Sequence, residues 1–157
     1  MPDAVDRRRR RTTRAQRWFV NPIMRLAIGA GLLSSAYALV ETTGRRSGRR
    51  RVTPVGYQLD GDTVWLVAEH GRASAYIMNL LADPQVRVRV RRRWRSGVAH
   101  VLDDDDGLAR RRAIDQGNGP LGRLDGKTFR RHATDPLTVR IDLSPASETF
   151  VSWPQHL

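Results

Sequence analysis

The stretch QVRVRVR, residues 85–91, alternates strictly between apolar and polar side chains. Val86, Val88 and Val90 fall on one face of an extended chain and the arginines on the other, because successive side chains of a strand point to opposite sides. The pattern predicts a β-strand with one face in a hydrophobic core and the other in solvent. Strands of this kind are typical of antiparallel sheets, which are commonly packed on one face only.

Other segments with strand patterns bring the total to about six, and they are residues 38–43, 52–59, 63–69, 94–102 and 137–143. Asp60-Gly61-Asp62 separates two of these strands and is a strong hairpin signal. Short helices are predicted over 74–82, before Asp83-Pro84, and over about 107–115. Residues 116–135 are rich in glycine, so we expect irregular structure there. The pattern predicts an α+β chain that is mainly β, a small closed or half-closed antiparallel barrel.

The N-terminal 40 residues differ in composition from the rest. Residues 1–16 are polar and dense in arginine, which predicts a disordered basic arm. Residues 17–40 are mostly apolar, and Asn21-Pro22 is a typical helix start, so we expect an N-terminal helix ahead of a barrel domain over 41–157. The helix either packs on the barrel or lies on a membrane surface with its basic arm. A secretory signal is a third interpretation, but its cleavage would remove the apolar run before the next strand.

Several kinds of chemistry are disfavoured by the residues present. The chain has no cysteine, which excludes disulfides and thiolate metal sites, and its four histidines lack metal-ligand spacing. The sequence contains no recognisable catalytic triad or acid pair, so we predict no catalytic side chain and no metal, and we expect a cofactor to carry any reaction. A net charge of +12 favours contact with polyanions, but aromatic residues make up only 6% of the chain and no base-reading motif is present.

The segment ETTGRRSGRRRVTPV, residues 41–55, concentrates five arginines between two predicted strands. Arginine grips phosphate or carboxylate through two parallel hydrogen bonds, and glycine lets the backbone approach an anion closely. The N–H groups of Gly44 and Gly48 and the hydroxyl of Ser47 are further candidate donors. A solvated basic turn is the competing interpretation.

The run ETTGRRSGRRRVTPVGY resembles the signature TTGR-(K/R)-(S/T)-G-x-x-R-x-x-P of the deazaflavin-dependent nitroreductase and quinone reductase family. The segments LDGDTVWLVAEHG and NLLADPQVRVRV are similar to the family in the same order, so the resemblance covers roughly residues 17–143. Members of that family are split β-barrel proteins that bind coenzyme F420. The resemblance therefore implies a split barrel with an F420 site.

The resemblance also implies which residues form that site. Those expected to bind the phosphate and glutamyl tail of the cofactor are Arg45, Arg46, Ser47 and Arg51, while Arg49 and Arg50 are expected to be solvated. Those expected to border the deazaflavin ring are Val67, Ala68, His70 and Gly71. Motif positions also assigned to the cofactor are Thr43, Gly48, Pro54 and Asn79. Tyr76 stands where the family usually has tryptophan, and it is the expected substrate contact.

We therefore expect an F420H2-dependent oxidoreductase that transfers a hydride to a small electron-poor acceptor, such as a quinone, nitro or enone compound. The alternatives are a non-catalytic split barrel that binds a cofactor or lipid, and an oxidoreductase of similar fold that binds FMN. We expect a cytoplasmic protein with no specific nucleic-acid partner, and peripheral attachment to the inner membrane face is the alternative. The sequence does not predict an oligomeric state.

Overall fold

The fold is described from a computed structural model, which covers residues 26–27, 30–31 and 35–145. The six strands are β1 (Tyr37–Thr43), β2 (Arg50–Asp60), β3 (Thr63–Ala68), β4 (Gln85–Val90), β5 (Arg93–Leu102) and β6 (Leu137–Leu143). The helices within these ranges are α1 (Ala75–Ala82), α2 (Gly107–Gly117) and α3 (Gly119–His132), with a single 3-10 turn at Gly71–Ala73.

The strands form a closed barrel in the order β1-β2-β3-β6-β5-β4, with β4 pairing back onto β1. Every neighbouring pair is antiparallel. Hairpins join β1 to β2, β2 to β3 and β4 to β5, whereas α1 connects β3 to β4 and the α2–α3 pair connects β5 to β6. Closure removes the exposed edges that an open sheet would present to other chains. The prediction of a mainly β, α+β split barrel with about six antiparallel strands is confirmed.

Strand β4 shows how the alternating pattern builds the barrel. Val86, Val88 and Val90 point into the core and are 4%, 0% and 4% exposed. Burying a side chain of this kind contributes about 1.5–3 kcal/mol. On the outer face of the same strand, the guanidinium of Arg87 lies 3.4 Å from the carboxylate of Glu41 on β1. The arginines on the outer face are therefore not all simply solvated, because Arg87 links β4 to β1 through this ion pair.

The prediction of irregular structure over 116–135 is wrong, because most of that segment forms α3. Its glycines allow close packing against α2. A Cβ atom at Gly122 would meet the backbone oxygen of Asp115 at 2.5 Å, and one at Gly126 would overlap the carboxylate of Asp115. Glycine disfavours an isolated helix by about 1 kcal/mol per residue, so here contacts between the helices outweigh propensity.

Replacing Gly126 with alanine should lower the free energy of unfolding by about 1–3 kcal/mol, because the new methyl group overlaps a buried carboxylate. Gly117 is the matched control, since a Cβ there would meet only the side-chain amide of Gln58, at 3.8 Å. Gly117→Ala should leave stability unchanged or raise it by up to about 1 kcal/mol. Urea unfolding of the two variants measures the difference. Equal losses would show that α3 does not pack against Asp115 as described.

The N-terminal prediction needs one correction at its boundary. Tyr37–Val40, which the predicted helix over 17–40 included, belong to β1 and pair with β2. Their side chains are mostly buried, which matches a strand that is bonded on both sides. The predicted arm over 1–16 and most of the predicted helix lie outside the described residues. In the part of the chain that the structure covers, no helix is long and apolar enough to cross a bilayer.

Candidate functional site

Two adjoining cavities lie where the β1–β2 loop, α1 and α3 meet the barrel. The first, which we call the arginine pocket, has a volume of about 480 Å³ and is lined by Gly44, Arg45, Arg46, Ser47, Arg50, Arg51, Val52, Thr53, Ala75, Tyr76 and Asn79. The second, the tyrosine pocket, measures about 250 Å³ and is lined by Tyr37, Thr53, Pro54, Val55, Gly56, Val67, Glu69, His70, Ser74, Tyr76, Arg111, Asp125, Thr128 and Phe129. Thr53 and Tyr76 belong to both, so one elongated ligand could occupy the two together.

The loop that borders the arginine pocket is closed by its own hydrogen bonds. The N–H of Gly44 donates to the carbonyl of Arg49 at 2.8 Å, and the N–H of Gly48 donates to the carbonyl of Gly44 at 2.7 Å. The hydroxyl of Ser47 accepts from the N–H of Arg49 at 3.3 Å. The expectation that the N–H groups of Gly44 and Gly48 face an anion is therefore wrong. The guanidinium groups are left as the principal donors to a ligand.

Asn79 on α1 anchors this loop to the barrel. Its Oδ1 accepts from the backbone N–H of Arg45 at 3.2 Å and from Nη1 of the same residue at 3.1 Å. Its Nδ2 donates to Oγ1 of Thr42 at 3.2 Å. Asn79 is 4% exposed, so its bond to Thr42 is buried, and its two bonds to Arg45 are partly buried. The residue thus fixes the direction of the arginine-bearing loop as well as lining the pocket.

Replacing Asn79 with alanine should lower the free energy of unfolding by about 1–3 kcal/mol, because buried polar groups lose their partners. Hydrogen exchange should also accelerate in peptides that cover residues 42–50. Asn118→Ala is the control, since Asn118 donates to the carbonyl of Tyr57 at 2.9 Å, away from the loop. That variant should lose stability without faster exchange in 42–50 beyond its global effect. Unchanged exchange in Asn79→Ala would refute the anchoring role.

The arginines of the loop differ in how far they are neutralised. Arg50 lies 3.5 Å from the carboxylate of Glu41, and Arg45 is bonded only to neutral groups. Among the described residues, Arg46 and Arg51 have no acidic partner, and both line the arginine pocket. An unpaired guanidinium beside a cavity favours a phosphate or carboxylate, which it can bind through two hydrogen bonds. The chemistry of the arginine pocket therefore favours an anionic ligand.

The tyrosine pocket brings Tyr37, at the start of β1, near an acidic residue. Tyr37 and Asp125 of α3 both line the cavity. Burial and the nearby negative charge of Asp125 both raise the pKa of Tyr37 well above its ordinary value. Burial also raises the pKa of Tyr76. Both phenols therefore stay protonated at neutral pH.

Arg111 forms the rear wall of the tyrosine pocket and joins α2 to α3. It is 5% exposed, and its Nε donates to Oδ1 of Asp115 at 2.7 Å while an Nη contacts Asp125. Its guanidinium also stacks on the ring of Phe129, 4.4 Å from the centroid. Burial raises the pKa of Asp115, and the charge of Arg111 opposes that rise. The arginine is thus held by two carboxylates.

The structure brings most of the predicted site residues to the two pockets. Those in the arginine pocket are Arg45, Arg46, Ser47, Arg51 and Asn79, those in the tyrosine pocket are Pro54, Val67 and His70, and Tyr76 lines both. Those that line neither pocket are Thr43, Gly48, Ala68 and Gly71.

The four predicted residues that line neither pocket occupy the core, turns or the end of a strand. Ala68 is 1% exposed in the core, and Gly71 packs against Asp135 with a φ of +48°. The loop turns at Gly48, with a φ of +65°. Thr43 is the last residue of β1 and pairs with Arg50.

Sequence reasoning missed several lining residues, namely Tyr37, Arg50, Thr53, Glu69, Arg111 and Asp125. A usable signal existed for Arg111, because Asp115 follows it by four residues and such pairs meet on a helix. Nothing local in the sequence indicates that Tyr37 meets Asp125. Over the described residues, no three histidine, aspartate or glutamate side chains are grouped closely enough to hold a metal ion.

Comparison with known proteins gives the following matches. The profile of the family described as F420H(2)-dependent quinone reductase matches residues 11–143. A structure described as an F420 reductase is 18% identical, with a TM-score of 0.52 over 73% of this chain and 92% of the other. The F420-H2 dependent reductase FDR-A is 18% identical, with a TM-score of 0.50 over 69% and 94%. The heme storage protein HutZ from Vibrio cholerae is 14% identical, with a TM-score of 0.50 over 71% and 84%. At these identities the structural matches establish the fold.

Proposed function

Because the chain belongs to the F420H(2)-dependent quinone reductase family, and is thus an F420-dependent oxidoreductase, we propose that its two pockets bind F420 and that it reduces a small electron-poor acceptor. The acceptor is a quinone, nitro compound or enone. The observation that carries this proposal is the arginine pocket, where Arg46 and Arg51 lack acidic partners among the described residues. F420 has a phosphate and a carboxylate-bearing glutamyl tail, which are the groups that such guanidinium groups bind.

In this proposal the arginine pocket holds the tail of the cofactor. Arg46 and Arg51 bind its phosphate and carboxylates, and Arg45 adds a positive charge that Asn79 keeps in place. Ser47 adds a hydroxyl at the pocket wall. FMN carries a single phosphate, which would leave several of these charges uncompensated. The number of arginines therefore favours the longer anionic tail of F420.

The tyrosine pocket holds the deazaflavin ring, bordered by Pro54, Val67 and His70, while Tyr76 contacts the acceptor. When bound, the reduced deazaflavin supplies a hydride. The walls of the pocket orient the two reactants and exclude water from between them. The raised pKa of Tyr37 keeps its phenol protonated, so the proton that completes reduction comes from solvent.

Fluorescence titration with F420, and separately with FMN, tests the choice of cofactor. We expect F420 to bind, and its affinity to persist at high salt because several hydrogen bonds add to the screened attraction. FMN should bind more weakly. Purification of the protein with tightly bound FMN, or no binding of F420, would contradict the proposal. The first result would favour an FMN-dependent oxidoreductase, and the absence of both cofactors a lipid-binding or other non-catalytic barrel.

Attachment to a membrane remains a prediction that rests on the arginines of residues 7–17 and the apolar segment that follows them. Anionic vesicles should sediment the full chain, and deletion of residues 1–16 should weaken that sedimentation, since each basic residue near an anionic surface contributes about 1 kcal/mol. Equal sedimentation of both forms would refute a role for the arm.

A further inference from the structure

The two pockets carry opposite charge in a chain whose net charge is +12. Four arginines and no carboxylate line the arginine pocket. The tyrosine pocket is lined by Glu69 and Asp125, with Arg111 as its only arginine, and no lysine lines it. A basic protein thus presents a local excess of negative charge beside the arginine pocket.

The single arginine of the tyrosine pocket does not cancel the charge of Glu69. Arg111 is bonded to Asp115 and contacts Asp125, and Arg130 lies 3.8 Å from Asp115, so the charges of these four side chains balance one another. Glu69 has no cationic partner among the described residues. Glu69 lines the tyrosine pocket together with Tyr76, which also lines the arginine pocket. The unpaired carboxylate therefore lies in the cavity that adjoins the arginine pocket.

The hydrogen-bonding properties of the tyrosine pocket also disfavour an anion beside Glu69. The carboxylate of Glu69 can only accept hydrogen bonds when ionised. His70 is engaged by the hydroxyl of Thr134 at 3.1 Å. A carboxylate or sulfonate bound beside Glu69 would therefore meet a like charge that cannot donate a hydrogen bond to it.

We propose that the tyrosine pocket makes the enzyme selective for neutral or cationic acceptors and excludes acceptors that carry a carboxylate or sulfonate. This inference rests on the proposed function, because it assumes that the acceptor meets the cofactor beside Glu69. A neutral quinone gains the hydride from the reduced deazaflavin and a proton from water, which gives the hydroquinone and the oxidised deazaflavin. A cationic acceptor needs only the hydride, which neutralises it.

The test compares 1,4-naphthoquinone with 1,4-naphthoquinone-2-sulfonate as acceptors. The sulfonate also changes the reduction potential, so the informative quantity is the kcat/KM ratio of the neutral to the anionic quinone, compared between variants. In Glu69→Gln this ratio should fall about fivefold, because a partly exposed charge a few ångströms away acts through a high effective dielectric. Asp104→Asn is the control: Asp104 is exposed and lines neither pocket. Its ratio should equal that of the parent protein.

A binding measurement supplies a second readout that does not depend on turnover. Calorimetry with protein saturated by oxidised F420 should show tighter binding of the neutral quinone, and a gain in affinity for the sulfonate in Glu69→Gln. Unchanged ratios in both assays, with F420 bound normally, would overturn this inference and leave the proposed function standing. Failure of the parent protein to bind F420 would overturn the proposed function and the inference with it.

Discussion

Replacing Arg46 and Arg51 together with alanine is expected to weaken F420 binding by about a hundredfold or more. Both side chains line the arginine pocket, and neither is neutralised by an acidic residue in the described part of the chain. A hydrogen bond to a charged group contributes about 1.5–3 kcal/mol, and each 1.4 kcal/mol changes a dissociation constant tenfold. Each single variant should lose about tenfold or more. Equilibrium titration that follows the fluorescence of the deazaflavin measures all three.

Arg49 provides the matched control for this experiment. It lies in the same loop and carries the same charge, but it does not line the pocket. Arg49→Ala should change F420 affinity by no more than about twofold, the size of a screened long-range effect. Equal losses in Arg49→Ala and Arg46→Ala would mean that the loop attracts the cofactor by general charge, and the assignment of individual residues would fail.

Replacing Arg111 with methionine is expected to lower the free energy of unfolding by about 3–5 kcal/mol near neutral pH. Methionine keeps much of the side-chain volume but leaves Asp115, which is 4% exposed, without its main cationic partner. Breaking a buried ion pair from one side costs this much because the remaining charge stays desolvated. Arg112→Met, at the exposed neighbouring position on α2, should change stability by less than about 0.5 kcal/mol. Urea unfolding of both variants measures the difference.

The loss of stability in Arg111→Met should be larger near neutral pH than at acidic pH. Burial raises the pKa of Asp115, and removal of Arg111 removes the main charge that opposes the rise. A carboxyl whose folded pKa exceeds its unfolded value binds its proton more tightly when folded, so stability is lost as pH rises through the folded pKa. The deficit relative to the parent protein should therefore be largest near neutral pH and shrink toward the unfolded carboxyl pKa of about 3.9. A deficit that grows on acidification would contradict this account.

The double variant Arg111→Met with Asp115→Leu separates loss of the pair from loss of packing. Replacement of both charged partners by apolar side chains is often neutral or stabilising. It should recover a large part of the stability lost in Arg111→Met, and its remaining deficit should not vary with pH in the same way. A double variant as unstable as Arg111→Met would point to a packing defect at that position.

The barrel could be predicted because its signals are local. The alternation along β4 and the Asp60-Gly61-Asp62 turn each depend on a few adjacent residues, and both reappear in the structure. Helix α3 could not be predicted in this way. Gly122 and Gly126 predict a break in the helix, because glycine has a low helix propensity. In the structure both glycines allow Asp115 of α2 to pack closely against α3. Tertiary packing overrides propensity at these positions.

The same distinction between local sequence signals and tertiary contacts applies to the candidate site. The arginine loop is contiguous in sequence, so Arg46, Ser47 and Arg51 could be assigned to one site from the sequence alone, and all three line the arginine pocket. The prediction that the N–H groups of Gly44 and Gly48 donate to an anion was wrong, because both donate to carbonyl groups within the loop. Such internal bonds depend on the conformation of the loop, which the sequence does not reveal. Tyr37 of β1 and Asp125 of α3 line the same cavity, and no spacing rule links residues so far apart in the chain.

Anaerobic mixing of the protein, loaded with reduced F420, with excess 1,4-naphthoquinone measures whether the protein catalyses reduction of a quinone by this cofactor. We expect oxidised F420 and hydroquinone to appear in equal amounts, at a rate that saturates with quinone concentration and far exceeds the rate without protein. The Arg46→Ala, Arg51→Ala double variant should lose this rate at cofactor concentrations that saturate the parent protein. Oxidation of F420 at the same rate with and without the protein would contradict the account.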